Sequence, residues 1–241
     1  MTTNRERAAD ELRPIRMTQG YTDMTPGSVL IEVGKTRVLT TVSIDRRVPR
    51  WMQDAGKGWV TAEYGMLPGS SGDRIRRDNY TGGRSKEISR LIGRALRSVV
   101  DLKAMGEIMV RVDCDVLQAD GGTRTAAITG AWVAVHDAFE WAIGEGMLET
   151  NPLIDRVTAI SVGLVGGVPL LDLDYVDDVA AEVDMNVVMT GRGLLVEVQG
   201  TAEGAPFTRS ELDQLLDLAT HGINELGEVQ QHLASRRPTS E

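Results

Sequence analysis

Only one cysteine, Cys114, occurs in the 241 residues, so no disulfide can close within the chain. Without a matched base, its thiol reads as a small hydrophobe packed on a strand. Histidine is scarce as well. His136, His221 and His232 lack the short spacing that metal ligation uses, which assigns them to packing or surface positions. No apolar run approaches the roughly 20 residues of a membrane span, and the charged opening Met1 to Glu11 has no apolar secretory segment. A soluble cytoplasmic protein with no membrane contact is expected. A G-x-x-x-x-G-K-[ST] element is missing too, which ranks a phosphate-binding kinase or nucleotidase last among the functional classes.

What is present is enough to build a core: 41% of the residues are hydrophobic, suited to one domain or two small ones. The expected organisation is a single domain over residues 1–241, with a core from about 12 to 230 and a frayed tail from 235 to 241. The net charge of -9 and pI near 5.0 argue against indiscriminate polyanion binding. The local balance of charge points the other way. From Arg74 to Lys103, nine basic residues face three acidic ones, a balance of +6, whereas Leu171 to Asp184 carries six acidic residues and no basic one. A basic and an acidic cluster in one chain suit a phosphate ligand that also needs a metal.

The sharpest motif is Asp120-Gly121-Gly122-Thr123-Arg124-Thr125, lying between a strand-like run ending at Leu117 and a helical run starting near Thr125. Glycines permit a tight turn and close approach to a ligand, free N–H groups open the helix, and the guanidinium adds a charged fork. The device recurs at Gly82-Gly83-Arg84, so two arginines can converge on one oxyanion.

Periodicity supplies the scaffold. Strands are predicted at Ser28 to Val33, Thr36 to Asp45, Trp59 to Glu63, Ile108 to Leu117, Val157 to Val165, Val168 to Leu173, Met185 to Met189 and Leu194 to Gln199. Helices are predicted at Ser85 to Asp101, with Arg90, Arg94 and Arg97 on its polar face, at Thr125 to Ala142, and from the capping box Thr208/Glu211 onward. Sheet then helix, twice, points to a duplicated α+β unit. Asp172 and Asp174, alternating on a strand, are expected to be solvent-facing or interface charges. Trp132, Phe139 and Trp141 are assigned to core or subunit interface.

Three segments in order, Gly58-Trp59-Val60-Thr61-Ala62-Glu63-Tyr64-Gly65-Met66-Leu67-Pro68, the run from Asp113 to Thr125, and Asp184-Met185-Asn186-Val187-Val188, resemble the RNase PH family of phosphate-dependent exoribonucleases, or transfer RNA nucleotidyltransferases. The resemblance runs from about Leu12 to His221 and includes Glu197-Val198-Gln199-Gly200-Thr201-Ala202-Glu203-Gly204. It implies an α+β fold of duplicated βαβα type with mixed sheets and packed helices. It also implies 3′-to-5′ trimming of transfer RNA precursors and other RNA 3′ ends, with inorganic phosphate as co-substrate and nucleoside 5′-diphosphates as products. By the same resemblance Arg84, Gly122, Thr123 and Arg124 bind phosphate, and Asp178 and Asp184 are the catalytic pair that supports magnesium. A homohexamer, a trimer of dimers, is implied as well.

For RNA, Arg74, Arg76, Arg77, Arg90 and Arg94 are the candidate backbone contacts, with Tyr80 available for stacking. Gly69 to Thr81 is shorter and less basic than the family pattern, so the grip on RNA is expected to differ. The competing class is a non-catalytic RNA-binding ring subunit of an exosome-like assembly. Such a subunit commonly lacks one of the arginines or aspartates, and all four are here.

Overall fold

The computed structural model describes residues 5–77 and 82–235, which leaves the stacking candidate Tyr80 and residues 236–241 of the tail outside the described residues. In the first half, β1 (Ile15–Gln19), β2 (Gly27–Val33), β3 (Thr36–Asp45), β4 (Trp59–Met66) and β5 (Met109–Gln118) form one sheet in the order β1-β2-β3-β5-β4. Its neighbours run antiparallel except β4 and β5, which are parallel. A parallel pair needs a crossover, and α1 (Gly83–Arg97) lies within it. Ile88, Leu91, Ile92, Ala95 and Leu96 recur at helical spacing and are buried, so one face of α1 joins the core.

The second half is again a sheet packed with helices, built from β6 (Val157–Val165), β7 (Val168–Leu171), α3 (Tyr175–Ala180), β8 (Val183–Thr190), β9 (Leu195–Ala202) and α4 (Arg209–Ala234). Its strands form an antiparallel sheet in the order β7-β6-β8-β9. The capping box is in place: Glu211 N donates to Thr208 Oγ1 at 3.2 Å, and Thr208 N donates to Glu211 Oε2 at 2.6 Å. Leu215, Ala219, Ile223 and Leu226 then seat α4 on this sheet.

Between the halves runs α2 (Thr123–Gly144), which packs on β2 and β3 of the first sheet and on β6 of the second. A helix covered on both sides cannot be amphipathic, and α2 is apolar around its circumference. Its contact residues are small, among them Ala127, Ala131, Ala134 and Ala138, so the sheets approach closely. Phe139 is fully buried and Trp132 nearly so, whereas Trp141 is exposed. Burial of a side chain the size of Phe139 stabilises the fold by about 2–3 kcal/mol. Cys114 is a buried strand residue, its thiol pushed far above the ordinary range by burial first and the nearby Asp113 and Asp115 second.

The structure corrects one expectation. Asp172 and Asp174 do not alternate on a strand at the surface, because β7 stops at Leu171 and the chain turns into the short helix α3. Asp172 is 1% exposed and takes a left-handed φ of 57°. Asp174 caps α3, its carboxylate accepting from the backbone N–H groups of Val176 and Asp177 at 3.0 Å each. Arg13 explains why Asp172 is inside: its guanidinium donates to both carboxylate oxygens, at 2.9 and 2.6 Å, and its backbone N–H adds a third bond at 2.9 Å. Burial by itself would raise the Asp172 carboxyl, but these bonds and the charge of Arg13 outweigh it and hold the group below its usual value.

Candidate active site

The glycine turn joins β5 to α2 with Gly121 at φ 75° and Gly122 at φ 65°, the left-handed region where a side chain is strained. Space forbids one as well, since a methyl on Gly121 would sit 2.4 Å from the carbonyl oxygen of Leu173. Gly122 is the N-cap of α2 and offers no side-chain cap, so the helix's first N–H groups are left without a capping side chain. Two neighbours hold the turn rigid. Thr36 Oγ1 donates to the Gly121 carbonyl at 2.7 Å and accepts from Asp120 N at 2.9 Å. Arg13 donates to the Asp120 carbonyl and, at 3.5 Å, to that of Gly121 while gripping Asp172. Nothing local in the sequence singles out Arg13, because its partners lie more than 100 residues away.

Arg84 and Arg124 occupy equivalent places, each the second residue of a helix whose N-cap is glycine. Arg124 Nη1 donates to Gln199 Oε1 at 2.8 Å and lies 3.8 Å from Glu87 Oε1, while Gln199 Nε2 donates to the same Glu87 oxygen at 2.9 Å. This aims the guanidinium from α2 across to β9. Thr123 Oγ1 and the Tyr64 hydroxyl are 2.8 Å apart, and burial pushes the Tyr64 phenol above its ordinary value.

Opposite the arginines stand two carboxylates on different elements, Asp178 on α3 and Asp184 on β8. Arg84, Gly122, Thr123, Arg124, Asp178 and Asp184 all line one cavity of about 780 Å³. Burial raises the Asp178 carboxyl, an effect that Arg84 and Arg124 partly offset. Asp184 is pushed up to about 6, by burial first, then by the charge of Asp178, with Glu203 adding to it and the two arginines opposing. A pair of carboxylates lining the same cavity as two arginines has donor chemistry that suits magnesium, which is held by one or two carboxylates together with water and substrate phosphates. Among the described residues no cluster of three or more His, Cys, Asp or Glu has metal-site geometry.

The candidate RNA contacts lie outside this cavity. Arg74, Arg76 and Arg77 are exposed just beyond Ser71, Gly72 and Asp73 on its rim. Arg90 is exposed on α1. Arg94 is ion-paired with Glu197 of β9, and Arg97 donates to the Val60 carbonyl at 2.8 Å and stacks 4.4 Å over the Trp59 ring.

Two helix-start arginines and a carboxylate pair on one cavity form an arrangement chemically able to act on phosphoryl oxygens. The chain belongs to the 3′ exoribonuclease family: residues 11–139 match its domain 1 and residues 155–222 its domain 2. Among curated relatives, the proteins named Ribonuclease PH of Brucella ovis and Brucella canis are each 54% identical over 229 residues, covering 93% of this chain and 96% of theirs. The fold matches rice (Oryza sativa) Rrp46 with a TM-score of 0.78 at 18% identity, over 95% of this chain and 99% of that one. It also matches a chain of the Archaeoglobus fulgidus exosome with RNA bound to the active site, with a TM-score of 0.81 at 21% identity over 92% and 90%. At such identities the likeness is one of fold.

Proposed function

We propose that the protein is a phosphorolytic 3′-to-5′ exoribonuclease that trims transfer RNA precursors, transferring the terminal nucleotide to inorganic phosphate and releasing nucleoside 5′-diphosphates. The observation that carries this reading is the convergence of Arg84, Arg124, Asp178 and Asp184 on one cavity, in a chain 54% identical to proteins named Ribonuclease PH. In-line attack brings a phosphate dianion to a phosphodiester, so repulsion must be offset before any bond forms. The guanidinium forks of Arg84 and Arg124 do this, and the Gly122 and Thr123 amides with the Thr123 hydroxyl fix the orientation of the nucleophile.

The negative charge that develops on the leaving 3′-oxygen must be met by a proton or a cation, and the Asp178 and Asp184 pair lines the cavity where it would be supplied. Asp178 and Asp184 would hold magnesium, which supplies Lewis-acid stabilisation when bound. The exposed Arg74, Arg76, Arg77, Arg90 and Arg94 are assigned to the RNA backbone.

The same proposal takes the two family segments as a single working domain, the homohexamer (a trimer of dimers) as the assembly and the cytoplasm as its location. The helix α2, shared by both sheets, supports the first. Exposed apolar residues such as Leu195 and Val198 on the edge strand β9 support subunit packing. Among the described residues no helix is long and apolar enough to cross a membrane.

Incubation of the purified protein with a 3′-extended transfer RNA, with and without phosphate, tests the reaction. Diphosphates appearing only with phosphate are expected; monophosphates released by water would overturn the reading.

A further inference from the structure

The floor of the cavity is the second sheet, and its register sets a row of polar side chains beneath the phosphate turn. Ser161 of β6 lies opposite Asn186 of β8, which in turn lies opposite Gln199 of β9. Residues directly opposite share a face, so the row runs from under Gly122 to the side chain that holds Arg124. A methyl on Gly122 would come within 3.7 Å of Ser161 Oγ, which places the hydroxyl immediately below the turn. Asp184, two residues from Asn186 on the same strand, shares its face as well.

Ser161 and Asn186 both line the cavity yet are only 3% and 8% exposed. Ser161 Oγ accepts from Leu173 N at 3.1 Å, which leaves its hydroxyl hydrogen uncommitted. The Asn186 carboxamide has no side-chain hydrogen bond among the described residues. The Asn186 amide is not among the sealed-off unpartnered atoms of the described residues, which are Ser70 Oγ and Arg156 Nε, so it opens to the cavity and is available to a ligand there. Two donors on one sheet face, both lining the cavity that Arg84 and Arg124 also line, therefore mark a ligand position that the helix starts do not fill.

Resting on the phosphorolytic reading above, we infer that Ser161 and Asn186 are two further ligands of inorganic phosphate, forming a neutral floor that donates an O–H and an N–H from below while Arg84, Arg124 and the turn amides grip from above. Neutral donors suit this place. They fix the rotation of the anion without drawing off as much of the oxygen charge that must attack, and orientation is where an intramolecular-like advantage arises. The floor also bears on specificity among residue types at position 186: a carboxylate there would face the anion directly and repel it.

The test uses the full-length protein and the variants Ser161→Ala, Asn186→Leu and Asn186→Asp. Diphosphate release from a 3′-extended transfer RNA is measured against phosphate concentration and, separately, against RNA concentration. The rise in Tm on adding inorganic phosphate is recorded alongside. Loss of one hydrogen bond to a charged ligand predicts a phosphate KM raised about tenfold in Ser161→Ala and Asn186→Leu. Added like-charge repulsion predicts about a hundredfold rise in Asn186→Asp. The RNA KM stays within about twofold of the parent, and the phosphate-induced Tm rise shrinks in the same order.

The inference is overturned if the phosphate KM of the two Asn186 variants matches the parent, or if both KM values move together. A parent that ignores phosphate in turnover yet gains Tm from it would overturn the phosphorolytic reading alone, and the variants' Tm response would still decide the floor. A variant with lowered Tm but an undiminished phosphate-induced rise would assign the pair to folding, against the proposal.

Discussion

Replacing Asp184 with Asn should make the metal-free protein more stable while abolishing most of its activity. Raising a carboxyl from 3.8 to about 6 corresponds to about 3 kcal/mol if none of it is screened. Asp184 is only partly buried, so solvent screening reduces the figure to about 1–2 kcal/mol. The sign follows from the direction of the change. A carboxyl that binds its proton more tightly in the folded chain than in the unfolded one destabilises the fold once ionised. The penalty is complete above about pH 6 and fades as pH falls toward 3.8. Denaturant unfolding in chelator, at matched protein concentration, should show Asp184→Asn ahead of the parent at about pH 8, with the gap narrowing at about pH 5. Magnesium should reverse the ranking, since only the parent keeps both carboxylates to bind it. Activity should fall at least about a hundredfold. An advantage independent of pH, or a variant less stable at the higher pH, would refute the electrostatic account.

The Arg124→Lys variant should raise the phosphate requirement by about tenfold with a smaller change in RNA affinity, because an ammonium cannot copy a fork held at 2.8 Å by Gln199; a phosphate titration superimposable on the parent's would reject the role. Neutralising Arg74, Arg76 and Arg77 together should flatten the salt dependence of transfer RNA binding by roughly two units of slope, read from Kd at several salt concentrations. Arg13→Met leaves Asp172 buried with Arg7, at 3.3 Å, as its remaining ion-pair partner among the described residues, and should cost about 3–5 kcal/mol in unfolding free energy. The double variant Arg13→Met/Asp172→Leu should recover part of that loss.

Local pattern carried much of the architecture. The strands β3 and β6 lie where alternation and β-branched runs put them, Thr36–Asp45 and Val157–Val165, and both arginines of the cradle open helices that glycines announce. Where pattern failed, pairing at long range decides. The strand β1 is five residues with a charge inside, Ile15–Gln19, and exists because β2 offers it a partner. The helix α3 is a single acidic, partly β-branched turn, Tyr175–Ala180, nucleated by the Asp174 cap rather than by propensity. The burial of Asp172 follows from Arg13, 159 residues away, and no periodicity within either segment could announce it. Ser161, Asn186 and Gln199 were equally illegible as a group, since three strands must be in register before they form a row.

The cradle and the acids come from stretches that share no residue: residues 82–124 supply every proposed phosphate grip above the floor, residues 178–184 the acidic pair. Loss of a site side chain from either stretch therefore leaves the backbone of the other, and the sheets beneath both, in place. Descendants of such a chain can lose their chemistry in two independent ways and persist as inert bodies of the same shape.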